Sequence, residues 1–164
     1  MDKAAFIARF GGVFEHSAWI AERAWDQGDL PARLDAEGLH RSLVVPFRAA
    51  SEDERLGVLR AHPDLAGKLA VSGELTAASR AEQAGAGLDQ LTETEFARFT
   101  DLNTRYQARF GFPFIIAVKG LDKQEILHAF ENRIHHSRSV EFDTACHEVE
   151  KIALLRLNAM TFGD

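Results

Sequence analysis

The chain has 164 residues, 46% hydrophobic and 27% charged, with a formal net charge of −6. That length suits one domain with a proper core, and the composition argues against wholesale disorder. The acidic balance argues against a nucleic-acid partner, which needs a basic face, and a single cysteine, Cys146, forms no internal disulfide.

The N-terminal stretch MDKAAFIARFGGVFEHSAWIAERAW carries acidic residues early and no long apolar run. Neither a signal peptide nor a membrane span is expected there, and a cytoplasmic location follows as the expectation. Residues 14 to 26 set Phe14, Trp19 and Trp25 among alanines and charges, the pattern of a packed helix. SEDERLGVLRAH then opens on Ser51 with Glu54 three residues later, a capping box. Leu56, Val58 and Leu59 give that helix an apolar side up to His62. The same signature returns at Thr92 and Glu95, ahead of Phe96, Phe99, Leu102, Tyr106 and Phe110 at three- and four-residue steps. Asp122 and Glu125 start another helix with Ile126, Leu127, Phe130 and Ile134. A last one runs from about Ser139 to Met160 on Phe142, Cys146, Val149, Ile152, Ala153 and Leu157.

One run breaks the helical pattern. FGFPFIIAVKG, residues 110 to 120, is rich in strand formers but has no partner run, and Pro113 removes a backbone donor. Its amide groups need partners, and a bound polar ligand is one candidate. The chain therefore reads as all-α: a single-domain helical bundle over residues 1–164, with an irregular extended segment at 110–120.

Three groups of residues suggest chemistry. His62 stands where its helix must stop, either as a cation at a helix C-terminus or as a general acid or base presented to a cavity. Asp64, after Pro63, reads as a cap rather than a catalyst. Ser79, Glu82 and Gln83 lie three and four apart, so a helix puts a hydroxyl, a carboxylate and an amide on one face. Arg156 sits in the apolar stretch KIALLRLNAM and needs an anion, from either a side chain or a ligand. Arg133, in ENRIHHS, reads as surface-exposed. No HExxH or CxxC is present among the seven histidines and one cysteine, and neither GxGxxG nor a Walker sequence occurs. A catalytic metal is not expected.

Taken in order, HPDLAGK, SRAEQAGAGL, FTDLNTRYQARFGFPFIIAVKG and EVEKIALLRL closely resemble the OHCU decarboxylase family, the 2-oxo-4-hydroxy-4-carboxy-5-ureidoimidazoline decarboxylases. The resemblance runs from about the first helix to Met160. It departs at RIHHSRS, residues 133 to 139, where family members often carry an asparagine shortly after the arginine and its apolar neighbour. It implies an all-α homodimer that needs no cofactor or metal. The reaction implied is decarboxylation of OHCU to (S)-allantoin, the last step from urate to allantoin. Carried over by position, the resemblance implies His62 as the catalytic histidine and Pro63 touching substrate beside it; our own mechanistic expectation is that Glu82 holds His62 in place for the proton transfer. The resemblance implies Ser79, Glu82 and Gln83 as a polar substrate-binding face. Phe114, Ile115, Ile116, Ala117 and Val118 become a segment whose main chain lines the pocket, and Arg156 a pocket arginine. The alternative is a non-catalytic all-α module that binds a small molecule without needing His62 or Glu82. A hydrolase of the same pathway is a weaker third reading, since no nucleophile–base pair stands out.

Overall fold

The computed structural model describes residues 1–67 and 72–163. Lys68, which closes the HPDLAGK stretch, lies outside them. Among the described residues there are eight α-helices and no β-strand, as an all-α chain requires. The helices are α1 (Lys3–Phe10), α2 (Trp19–Gln27), α3 (Ala36–Ala49), α4 (Glu52–Ala61), α5 (Ala77–Gly85), α6 (Glu93–Phe110), α7 (Lys123–Arg133) and α8 (Arg138–Asn158).

Local signals set most of the helix starts. The Ser51 hydroxyl accepts from the Glu54 amide at 3.1 Å, and the Glu54 carboxylate accepts in return from the Ser51 amide at 3.3 Å. Thr92 and Glu95 close the same box on α6 at 3.1 and 3.0 Å. Asp122 and Glu125 close it on α7 at 2.9 and 3.3 Å. Each cap satisfies amides that the first turn leaves without intrahelical partners, and contributes about 1 kcal/mol.

The helix expected over 14–26 begins only at Trp19, and α1 occupies 3–10 instead. Gly11 and Gly12 follow α1, and glycine costs a continuing helix backbone entropy. Residues 13–17 then run irregularly, with Glu15 turned inward to meet Arg156 at 2.6 Å. A partner so far along the chain leaves no local signal.

The chain forms two compact units, Met1–Ala61 with Val149–Asp164, and His62–Glu148. The first has its core in Phe6, Phe10, Ile20, Leu39, Leu43, Phe47 and Leu59, each at most 1% exposed. In the second, Tyr106 of α6 packs edge-on to Phe114 at 5.5 Å and Phe130 at 5.8 Å, and those two rings stack at 3.9 Å. Of the apolar stripe expected on α6, Phe99, Leu102, Tyr106 and Phe110 are buried. Phe96 is 42% exposed, because it lies in the first turn beside an open cleft. Cys146 is buried, as its place in an apolar pattern suggests.

Tyr106 is the chain's one tyrosine, fully buried, and donates its hydroxyl to Glu141 Oε1 at 2.5 Å. Burial first, then the hydrogen bond to Glu141 and its negative charge, push the phenol far above its ordinary value. A pKa raised by folding favours the fold while the phenol is neutral. That stability is fully present below about pH 10, the ordinary value, and is lost as pH rises past it. In an alkaline titration, phenolate absorbance is therefore expected to appear only together with loss of helical circular dichroism. Phenolate forming near pH 10 (about the unfolded value) in a still-helical chain would contradict the buried contact.

Candidate active site

His62 follows directly on the last residue of α4 and is 8% exposed. Proline at 63 steers the preceding residue away from helical backbone angles, so the helix stops where the imidazole stands. The next four residues make a tight turn. Ala66 has φ +52°, a left-handed value that costs a non-glycine residue about 1–2 kcal/mol. Gly67 has no such φ, but a Cβ there would come within 2.7 Å of the Asp64 Cβ, so only glycine fits.

Side chains from two helices hold this turn. The Ala66 amide donates to Gln83 Oε1 of α5 at 2.9 Å. Asn103 Nδ2 of α6 donates to the Leu65 carbonyl at 2.9 Å, and Gln107 Nε2, one turn on, donates to Asp64 Oδ1 at 2.8 Å. Asp64 is thus tied to α6. Neither Asn103 nor Gln107 was foreseen as part of the site. Asn103 falls four residues after Phe99 and three before Tyr106, on the buried stripe itself, and that spacing is the signal that marks it.

Helix α5 starts on Thr76, whose hydroxyl accepts from the Ser79 amide at 3.2 Å. Ser79 and Gln83 are buried at 4% and 5% exposure, and Glu82 is half-buried. The polar face foreseen on this helix therefore turns inward, while Arg80, Ala81 and Ala84 face out. Gln83 is largely spent inside the protein: besides Ala66, its Nε2 lies 3.5 Å from the Asp64 carbonyl. It also borders a cleft of about 400 Å³, lined with it by Ala66, Arg80, Ala84, Leu88 and Phe96.

The 110–120 segment leaves α6 at Gly111, whose φ of +79° lets the helix end and its amide reach the Gln107 carbonyl at 2.9 Å. Residues 113–118 are irregular, as expected. Phe112, Phe114, Ile115 and Val118 are buried, whereas Ile116 and Ala117 are half-buried. One expectation is overturned here. Arg133 is 8% exposed rather than on the surface. Its guanidinium pairs with the fully buried Glu141 at 2.9 Å, donates from Nη1 to the Ile115 carbonyl at 2.7 Å, and lies over the Phe114 ring at 4.4 Å. Burial of that cation is tolerable because a carboxylate, a carbonyl and an aromatic ring meet it. Glu141 also accepts from Tyr106 and lies 3.1 Å from His136 Nδ1.

The two parts of the candidate site thus share one support. On α6, Asn103 and Gln107 hold the turn after His62, while Tyr106 and Phe110 pack against the segment that begins at Phe112. Arg156 belongs to the other compact unit. Of the two anions left open for it, the structure supplies a side chain: Nη2 meets Glu15 Oε2 at 2.6 Å, and Nη1 reaches the Gly12 carbonyl at 3.3 Å.

The chain is similar in sequence and in fold to known proteins. A 2-oxo-4-hydroxy-4-carboxy-5-ureidoimidazoline decarboxylase of Halalkalicoccus jeotgali is 42% identical over 160 residues, which is 98% of this chain and 87% of that protein. A decarboxylase of the same description from Haloferax volcanii is 42% identical over 157 residues, 96% of this chain and 89% of its own. Among solved structures, an (S)-allantoin synthase superposes with a TM-score of 0.77 at 32% identity, over 97% of this chain. The chain spans 50% of that longer protein. The family model for OHCU decarboxylase matches residues 1–158, and with these relatives it establishes that the chain belongs to the OHCU decarboxylase family.

Proposed function

We propose that the chain decarboxylates OHCU to (S)-allantoin in the breakdown of urate, with His62 as proton donor and Glu82 as the group that holds it. The substrate carries its carboxylate on a ring carbon that also bears a hydroxyl, next to a C=N bond. When the bond to the carboxylate breaks, CO₂ leaves and the electron pair moves into the ring, with the C=N nitrogen as sink. An enol-like ring results. Protonation of that nitrogen, delivery of a second proton to the ureido-bearing carbon and loss of the enol proton give allantoin, with one net proton taken up. Because the sink lies within the substrate, no cofactor is required of the protein. Among the described residues no three of His, Cys, Asp and Glu gather in a group that could hold a metal ion.

The protein's tasks are then to orient the carboxylate, to offset ring charge and to protonate one face. The observation that carries the reading is the 2.9 Å bond from the Ala66 amide to Gln83, which ties the turn after His62 to the polar face of α5. Pro63 beside His62, together with Ser79, Glu82 and Gln83, would contact the substrate, and the main chain of 114–118 would hydrogen-bond its oxygens, as preorganised donors do. Arg156 is given no part in this scheme, since Glu15 already meets its charge. The same reading takes the chain as a cytoplasmic homodimer acting as one domain, without nucleic acid or membrane as partner. Among the described residues no helix is long and apolar enough to cross a membrane.

The test generates the unstable substrate in situ from urate, with urate oxidase and hydroxyisourate hydrolase, and follows circular dichroism with and without chelator. Rapid appearance of optically active allantoin, indifferent to chelator, is the expected result. Allantoin forming only at the spontaneous, racemic rate would leave a binding module without turnover.

A further inference from the structure

Arg133 donates to the Ile115 carbonyl at 2.7 Å from a guanidinium that Glu141 fixes on its other edge, through Nε at 3.0 Å and Nη2 at 2.9 Å. The fixing carboxylate has no exposure and is itself held by the Tyr106 hydroxyl. A trans peptide is planar, and its C=O and the following N–H point to opposite sides. An Ile115 carbonyl drawn onto a buried arginine therefore turns the Ile116 amide N–H the other way. There the chain is half-buried at Ile116 and Ala117, between Ile115 and Val118, which are closed off. Among the described residues no backbone acceptor is placed on the Ile116 amide. A buried or half-buried amide without a protein partner is an open donor.

We propose that Arg133, clamped by Glu141, is a positioning residue that orients the Ile115–Ile116 peptide so that the Ile116 N–H is offered to the substrate's ring oxygen as charge develops there. The inference rests on the decarboxylase reading and adds to it the device that aims one donor. Arg133 never touches substrate in this account. Its fork is what matters: a guanidinium bonds a carboxylate and a carbonyl at once in a fixed plane, and an ammonium does not. The buried aromatic cluster around Phe114, with the guanidinium over its ring, keeps the neighbouring residue from drifting.

Two variants test it in the in situ assay. Arg133→Lys keeps the charge and loses the fork. Replacement of Ile116 by the corresponding α-hydroxy acid turns the amide into an ester, which removes the N–H and leaves Arg133 intact. Each is expected to lower kcat on the order of a hundredfold, the cost of a donor lost or misplaced by about 1 Å, with a smaller change in KM. Combined, they are expected to be no worse than either alone, because both remove the same interaction. An Ile116 ester with unchanged kcat overturns the inference, whether or not Arg133→Lys folds. So does a folded Arg133→Lys with unchanged kcat, or a combination in which the two losses multiply. The unchanged chain separates the two levels. If it turns over while the variants behave as it does, only this inference fails; if it produces racemic allantoin at the spontaneous rate, the decarboxylase reading fails and takes this one with it.

Discussion

His62→Asn is expected to abolish decarboxylation, lowering kcat by about 10²–10⁴-fold, the range that a positioned acid or base supplies. The helical circular dichroism should stay that of the unchanged chain. The fold prediction follows from what holds the turn. Gln83, Asn103 and Gln107 bond to the backbone of Leu65 and Ala66 and to the Asp64 carboxylate, not to the imidazole. Pro63 stops α4 whatever precedes it. Asparagine also keeps a polar side chain at a position that is 8% exposed. The rival view makes His62 a stabilising cation at the end of α4, an effect of about 0.3–1 kcal/mol for a typical helix terminus. On that view the variant keeps its kcat and melts earlier. Measuring kcat and Tm on one preparation separates the two, and a folded variant with full turnover would remove His62 from the chemistry.

The histidine's setting also explains why it is built this way. A catalytic imidazole must stay within reach of one carbon of a small substrate, and a shift of about 1 Å costs on the order of a hundredfold. The turn after His62 contains a non-glycine residue at φ +52° and a glycine with no room for a side chain. Such strain persists only where neighbours over-determine the backbone. Here three amide side chains do so from two helices, which converts a costly loop into a fixed one.

How much of this was legible in the sequence depends on how far each interaction reaches. The capping boxes at 51 and 54, 92 and 95, and 122 and 125 involve neighbours three residues apart, and each forms as spelled. The polar face of α5 is likewise a matter of spacing within one helix. Arg133 was misread because its acceptors lie 8 residues ahead, on α8, and 18 behind, on the irregular segment. Nothing in ENRIHHS records either. Asn103 and Gln107 were overlooked for a different reason: an apolar stripe was read as its apolar members alone. The partner of Asn103 is a backbone carbonyl 38 residues earlier, and a backbone carbonyl leaves no trace in residue types. The start of α2 was misplaced because the segment before it is bent around Glu15, whose partner sits near the other end of the chain.

That partner sets the second large effect. Arg156→Met is expected to destabilise the protein by about 3–5 kcal/mol, the usual result of removing one member of a buried ion pair. For a chain of this size that lowers Tm on the order of 10 °C. The two side chains are 8% and 2% exposed, so the Glu15 carboxylate would be left buried without its cation. The Gly12 and Val13 carbonyls, 3.3 and 3.5 Å from Nη1, would lose a donor in a stretch with no helix to supply another. Pairing Arg156→Met with Glu15→Gln should restore much of the loss, since an uncharged amide replaces the stranded carboxylate. If the pair melts no higher than Arg156→Met alone, the stranded charge is not the cause. The double variant also decides what Arg156 does for the reaction. With stability regained, a KM close to that of the unchanged chain makes the guanidinium structural, while a KM raised by about tenfold, 1.4 kcal/mol, returns it to the substrate. The former is the expected result, because a guanidinium whose charge and donors are met by one carboxylate and two carbonyls has little attraction left for a second anion.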